Sequence, residues 1–473
     1  MKTQAPPRSR PARPRPARPR PARSTRPRPA RSASSVRSVP SGSERTRSKP
    51  SSYVLLLSVV VVLNIVGLVM VLSASSVVAL RNFGSSWYFF ERQTMWAALG
   101  FLVLVVASRI DYHLWSRLKA PLILICFALL VAVLIPGVGV VVGGSSRWVG
   151  AGWLRIQPSE VMKFALVIYG ADLLSRRGDR MGQWSQTLKP MMIVFFLAGF
   201  LVMRQPDMGT TLVLACITFG VLFAAGTPWR PLLGLMGTAL GGAIILGLAQ
   251  PYRRARLLSF TNPWAHRSDA GYQVVQSLVG LGSGHLFGVG LGASRAKWGF
   301  LPNAYTDFIF AVIGEELGLI GGLLVIALFV GLAIAGMRVA ARSSDRLGGL
   351  LAAGITAWII GQTVINLGAV IGLLPVTGVP LPFVSFGGSS LVIMMAGVGV
   401  VLNIASHESK RSPLGPREGI DHLEREMVRL DRRAATSGST GRRPVRTARP
   451  SPARMARPSP ARTAHTAIGR RNR

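Results

Sequence analysis

Leu301-Pro302-Asn303-Ala304-Tyr305-Thr306-Asp307-Phe308-Ile309-Phe310-Ala311-Val312-Ile313-Gly314-Glu315-Glu316-Leu317-Gly318 carries a polar loop straight into an apolar run. Asp307 stands at the junction, and Glu315 and Glu316 follow roughly two helical turns deeper. A charged side chain at the centre of a membrane helix costs about 2.5–3.5 kcal/mol. Carboxylates there are offset either by internal ion pairs that lock helices together or by a catalytic or transport role. The rest of the chain decides between these readings.

Outward from this stretch, the apolar blocks are too long for a soluble core. Val54–Leu72 and Pro121–Ile135 are examples, in a chain that is 49% hydrophobic with 52 Gly and a mean hydropathy of +0.39. About 20 apolar residues span a bilayer. The pattern predicts an all-α polytopic membrane protein with spans at 53–73, 93–108, 120–136, 158–175, 190–204, 208–226, 231–249, 308–336, 348–372 and 388–406. Basic residues flanking short loops favour the cytoplasm. Arg109, Arg117, Lys119, Arg176, Arg177, Arg180, Lys189, Arg338, Arg342 and Arg346 fall on one side when the N-terminus is cytoplasmic. Both termini are then cytoplasmic, and the loop 250–307, with Asp307, faces outward.

The formal charge of +37 is concentrated at the ends. Residues 1–50 hold 15 Lys/Arg against Glu44 alone, and residues 407–473 hold 17 against six acids. These tails carry +25 and leave +12 for the membrane body at 51–406. Their Arg/Pro/Ser/Ala composition cannot bury a core and predicts disorder. It suits anionic lipid heads or acidic partners, at about 1 kcal/mol per basic residue near a membrane surface. Nucleic acid is not expected, because no aromatic residues interleave with the basic ones to stack on bases. Some 50 polar residues precede the first apolar block, so no cleavable signal peptide is expected. Cys126 and Cys216, both in apolar blocks, are expected to serve packing.

The loops between spans carry motifs. Gly143-Gly144-Ser145-Ser146-Arg147-Trp148 leads to Ile156-Gln157-Pro158-Ser159-Glu160-Val161-Met162-Lys163. Pro158 suits a first helical turn, Glu160 suits the positive helix end, and Lys163 can pair with Glu160 on one face. Arg204-Gln205-Pro206-Asp207 is a charged, proline-broken turn between apolar runs, tolerated at membrane depth only where protein or a watery cavity shields it. Arg253, Arg254 and Arg256 make a candidate anion site, since guanidinium binds phosphate bidentately. Tyr272–Leu281 sets Val274, Val275, Leu278 and Val279 opposite Gln273, Gln276 and Ser277, an amphipathic pattern for an interface. Gly282, Gly284, Gly288, Gly290 and Gly292 suggest close packing or a hinge. Pro375, Pro380, Pro382 and the pair Gly387-Gly388 forbid a continuous helix, so Ser385, Ser389 and Ser390 are expected to face a cavity there.

Taken in order, Gln157-Pro158-Ser159-Glu160 with Lys163, Gln205-Pro206-Asp207, Tyr252-Arg253-Arg254, Tyr272-Gln273 with Gln276-Ser277, Thr306-Asp307-Phe308 with Glu315-Glu316-Leu317-Gly318, and Pro382 to Ser390 resemble the SEDS family (shape, elongation, division and sporulation) of bacterial peptidoglycan glycosyltransferases. The resemblance covers about residues 53–406. Ala296-Lys297-Trp298 with Phe300 to Ala304 is most similar to the division branch, and the long basic tails resemble actinobacterial members. The resemblance implies a ten-helix fold, polymerisation of lipid II (undecaprenyl-diphosphate-linked disaccharide peptide) and partnership with a class B penicillin-binding protein and other division proteins. It places the family's essential carboxylate on Asp307. His285 departs from a usual Gly, and Phe386 from a common Tyr.

On this reading Asp307 is the general base for an acceptor sugar hydroxyl. Arg253, Arg254, Lys297 and Arg147 are candidates to stabilise the departing diphosphate. Gln273, Gln276, Ser385 and Ser389 join them as substrate-binding candidates, while Glu160, Lys163, Gln205, Asp207, Glu315 and Glu316 shape the cavity. No carboxylate cluster specifies a metal site, although Mg²⁺ or Mn²⁺ could share the diphosphate charge. Two other classes compete, a transporter that flips the same lipid and a non-catalytic division scaffold, and within the family the alternative is an elongation-branch polymerase. A flippase needs a polar path across the whole membrane, whereas the charged groups here gather in the loops and span ends assigned to the outer face.

Overall fold

The computed structural model describes residues 51–142, 145–151, 154–177, 187–248, 254–255 and 259–407. The basic tails and Arg253 lie outside the described residues.

Every predicted span coincides with a helix. In chain order these are α1 (Ser51–Phe83), α2 (Tyr88–Arg109), α3 (Tyr112–Ala132), α4 (Pro158–Ser175), α5 (Lys189–Arg204), α6 (Met208–Ala224) and α7 (Trp229–Leu248). The predicted interfacial segment is α8 (Tyr272–Ser283), followed by α9 (Ile309–Arg342), α10 (Arg346–Val370) and α11 (Gly388–Ser406). Among the described residues six of them, α1, α2, α3, α9, α10 and α11, are long and apolar enough to cross a membrane by length and composition. Local chemistry sets the helix starts. Asp111, Asp207 and Asp345 each accept a hydrogen bond from a backbone N–H of the turn they open, at 3.0, 3.0 and 3.2 Å. Pro158 occupies the first turn of α4, where its missing N–H leaves nothing unpaired.

The bundle is knit by glycines on facing helices. A Cβ on Gly336 of α9 would lie 2.1 Å from Thr356 Oγ1 of α10, and one on Gly220 of α6 would lie 2.3 Å from Ala357 Cβ. Small residues let helix backbones approach, which is how membrane helices gain dispersion energy without a hydrophobic driving force between them. Cys216 packs against Gly361 and Cys126 is buried, in keeping with a packing role.

Two features differ from expectation. The segment 140–156 is a small antiparallel sheet, β1 (Val140–Val142), β2 (Ser145–Ala151) and β3 (Leu154–Ile156), paired Val142 to Ser145 and Val149 to Ile156. The strands are too short for an alternating pattern to stand out. The span predicted as continuous over 308–336 is instead broken at Gly318 (φ 69°, ψ −167°) and runs on to Arg342. At the break the loop after α8 supplies the missing partners. Val289 and Gly290 donate their N–H groups to the Glu315 and Glu316 carbonyls at 2.9 and 3.1 Å, and Leu319 and Ile320 donate to the His285 and Leu286 carbonyls at 2.9 and 3.3 Å. The seat is tight: a Cβ on Gly288 would lie 2.1 Å from the Glu316 carbonyl oxygen. The glycines of this loop therefore serve close packing.

The two ends of the bundle differ in what they hold. At one end, Lys119, Ser116 and Arg176 gather on the buried Asp172 carboxylate, the latter two at 2.6 and 2.9 Å. Tyr112 donates to Asp345 at 2.7 Å, Asn403 to the Ser108 carbonyl at 2.9 Å, and Arg346 to the Ala225 carbonyl at 3.2 Å. The His113 backbone N–H holds the Asp111 carboxyl below its ordinary range there. This is the end at which basic residues were expected, and α11 finishes at it. The opposite end holds the sheet, the turn at 205–207, α8 and the loop before α9.

Candidate active site at the Asp307 end of the bundle

The loop 301–308 delivers Asp307 to the start of α9 in a turn in which the Asn303 carbonyl accepts from the Thr306 and Phe308 N–H groups at 3.1 and 3.3 Å. Asp307 is half-buried. The proline-rich segment 375–387 folds against this loop. Ser385 Oγ donates to the Thr306 carbonyl at 2.6 Å, and the Phe386 N–H donates to the Tyr305 carbonyl at 3.0 Å. Gly378 (φ 73°) lies close enough that a Cβ on it would be 3.6 Å from Asp307 Oδ2. Phe386 packs with Phe89 and Tyr305 at ring separations of 5.2 and 5.9 Å. An aromatic ring fills that place without needing a hydroxyl, which accounts for the departure at 386. Burial raises the Tyr305 phenol above its usual range, keeping it neutral.

Beneath lies a buried polar cluster. Lys163, fully enclosed, sits 2.7 Å from the Glu160 carboxylate and 2.8 Å from Gln362 Oε1. Ser390 Oγ donates to Glu160 at 2.9 Å, and Gln362 Nε2 donates to the Pro380 carbonyl at 3.0 Å. The Glu160–Lys163 pair expected on one helix face is present, and it also ties α4 to α10, to the proline-rich segment and to α11.

The turn at 205–207 is a second polar knot. Asp207 accepts from Thr210 Oγ1 at 2.9 Å and from Gln157 Nε2 at 3.2 Å, and Gln205 Nε2 donates to the Leu130 carbonyl at 3.1 Å. Arg147 donates Nε to the Gln205 carbonyl at 3.0 Å and a terminal nitrogen to that of Pro206 at 2.5 Å, with the Asp207 carboxylate 4.0 Å away. Arg147, a candidate for the diphosphate, here holds the turn.

Glu315 and Glu316 have partners throughout. Glu315 accepts from Ser294 Oγ at 2.5 Å and from the Arg295 N–H at 2.8 Å, while Glu316 accepts from Ser73 Oγ at 2.6 Å. Both carboxylates fasten the loop 285–298 and α1 to the break in α9. His285 adopts φ 45°, in the left-handed region where glycine is the usual occupant. Lys297 is half-buried and donates to the Gly292 carbonyl, Arg254 is exposed, and Gln273 and Gln276 are half-buried on α8. Ser385 and Ser389 were expected to face a cavity. Ser385 is instead used up between Thr306 and the Leu381 N–H, which it accepts at 2.8 Å, and Ser389 is buried with its hydroxyl unpartnered among the described residues. The chain folds back over the break, so these hydroxyls point into protein.

Sequence reasoning passed over Gln93, Gln362 and Asn366. Gln93 donates to the Ser385 carbonyl at 3.3 Å. Asn366 Nδ2 donates to the carbonyls of Asp307 and Val379 at 2.7 and 2.8 Å. Two amides four residues apart in an apolar helix were the available signal, since such groups are costly unless bonded. Among the described residues no three His, Cys, Asp or Glu side chains gather closely enough to hold a metal ion.

A polytopic helical membrane protein with a half-buried carboxylate beside a buried polar cluster is the class this architecture defines. The chain belongs to the cell cycle protein family of FtsW, RodA and SpoVE, whose model matches residues 53–410. It is 43% identical over 364 residues to stage V sporulation protein E of Bacillus subtilis, covering 76% of this chain and 99% of that protein. It is 39% identical over 380 residues to a Mycobacterium bovis protein named probable peptidoglycan glycosyltransferase FtsW, covering 80% and 72%. Among solved structures, a chain of a peptidoglycan synthase complex described for its coordination of polymerization and crosslinking superposes with a TM-score of 0.62 at 28% identity, covering 75% and 98%. The rod shape determining protein RodA of Thermus thermophilus gives 0.56 at 26% identity, covering 75% and 97%.

Proposed function

We propose that this chain is a peptidoglycan glycosyltransferase that polymerises lipid II on the outer face of the cytoplasmic membrane during septal wall synthesis, with Asp307 as general base. The observation that carries the assignment of the base is placement. Asp307 is a half-buried carboxylate at the start of α9, beside Gly378 of the proline-rich segment and at the end of the bundle assigned to the outer face. An acceptor sugar hydroxyl gives its proton to the Asp307 carboxylate as its oxygen bonds to the donor's anomeric carbon. The bond from that carbon to the diphosphate breaks, and its electron pair leaves on the diphosphate oxygen. A positioned base contributes typically 10²–10⁴-fold. Cations near the leaving group stabilise the developing charge. Arg253, Arg254 and Lys297 are the candidates for this, and Gln273 and Gln276 are candidates to bind the substrate. A class B penicillin-binding protein is the proposed partner that cross-links the strands, anionic lipids are proposed to hold the basic tails, and other division proteins are proposed to recruit the complex.

The test is polymerisation of labelled lipid II by the purified protein with its partner transpeptidase, with and without a chelator. Native protein should make glycan strands and Asp307→Asn should make none. An Asp307→Asn variant that polymerises at the native rate sinks the mechanism. Loss of activity with chelator would show that Mg²⁺ or Mn²⁺ accompanies the diphosphate.

A further inference from the structure

The structure assigns to Asn366 the role of positioning residue for Asp307, an inference that rests on the reading of Asp307 as the base. Asn366 is 2% exposed, midway along the last turns of α10. Its Nδ2 carries two N–H donors, and each has a carbonyl to meet, that of Asp307 at 2.7 Å and that of Val379 at 2.8 Å. Two acceptors fix the amide's orientation, because the reverse placement would set oxygen against oxygen. The amide therefore joins the residue that bears the carboxylate to the segment that flanks it.

That segment is held on its other side by the same helix. One turn earlier, Gln362 donates to the Pro380 carbonyl at 3.0 Å and accepts from Lys163 at 2.8 Å. Between the two amides, Val379 and Pro380 are pinned to α10, and Gly378 is brought beside Asp307 Oδ2. Rigid α10 thus sets both the backbone of Asp307 and the wall its carboxylate faces. Catalytic groups misplaced by about 1 Å lose on the order of 10²-fold in rate. A carboxylate whose loop is not anchored still meets substrate but meets the acceptor hydroxyl in the wrong geometry.

The experiment compares Asn366→Leu and Asn366→Ala with Thr363→Val in the full-length protein with its partner transpeptidase, and runs Asp307→Asn in parallel. Thr363 is a buried neighbour on α10 whose hydroxyl bonds its own helix, to the Ile359 carbonyl at 2.8 Å, and so controls for damage to the helix. The Asn366 variants should lower kcat for lipid II polymerisation 10- to 100-fold. Their KM should stay within about 3-fold of native, and their thermal stability in detergent should match that of Thr363→Val. A kcat equal to that of Thr363→Val, or a KM that rises in proportion to the loss, overturns the positioning role. If Asp307→Asn is inactive while Asn366→Leu is native, only the positioning inference falls. If Asp307→Asn is itself active, the base assignment falls and this inference with it.

Discussion

Lys163 shows what a buried charge does in this protein. It has no exposed surface and is satisfied by the Glu160 carboxylate, the Gln362 carbonyl oxygen and the face of the Trp358 ring, 5.5 Å away. Removing one partner of a buried pair costs about 3–5 kcal/mol, because the other charge is left alone, whereas removing both is often close to neutral. Lys163→Met should therefore lower the unfolding temperature in detergent sharply. The double variant with Glu160→Gln should recover most of that loss, and a double variant no more stable than the single would contradict the pairing. The pair itself was legible, since residues three apart on a helix share a face. Gln362, 199 positions further on, was not, because no local pattern reports which distant side chain completes a buried cluster. The same holds for Arg147. Its charge suggested a ligand, and only the fold shows that it holds the carbonyls of Gln205 and Pro206.

At the scale of elements, helix positions were legible because apolar length alone marks them. The ends were less so: α1 runs to Phe83, ten residues beyond its predicted limit, through a segment polar enough to look like a loop. The break in α9 was hidden because a glycine in an apolar run is compatible with an unbroken helix, and only the loop after α8 reveals which of Gly314, Gly318, Gly321 and Gly322 departs from it. This arrangement separates two glycines with similar backbones. Gly288 (φ 84°) has the Glu316 carbonyl where a Cβ would go, whereas Gly290 (φ 102°) has open space. Gly290→Ala should cost only the backbone strain of a left-handed residue, about 1–2 kcal/mol. Gly288→Ala should add a clash that unseats the loop, giving a clearly larger fall in thermal stability and in polymerase activity. Equal effects at the two positions would mean that the loop does not depend on its seat.

For the whole molecule, the distribution of charge was the most informative signal. Arg109, Arg176 and Arg346, separated along the chain, arrive at one end of the bundle, where each lies at or beside a helix terminus. That is the arrangement expected when short cytoplasmic loops retain basic residues. It makes a prediction for the membrane. With Cys126 and Cys216 replaced by Ala, a cysteine at exposed position Asp269 should react with an impermeant maleimide in intact spheroplasts. One at exposed position Ser344 should react only after permeabilisation. The opposite pattern would invert the protein and remove Asp307 from the outer face. The fold class could be read from the sequence because it depends on composition over tens of residues. The site could be read only in outline, because it depends on which loops meet.

The loop seated in α9 also bears on how the protein is made. Residues 285–290 leave the ribosome before the helix they complete. The carbonyls of Glu315 and Glu316 and the N–H groups of Leu319 and Ile320 would otherwise enter lipid bare, at several kcal/mol for each unsatisfied group. Without the loop, those groups could pair only by closing the helix on itself, Leu319 to Glu315 and Ile320 to Glu316. The break in the helix and the seating of the loop are therefore two sides of one folding event, and the loop is already made when the helix arrives.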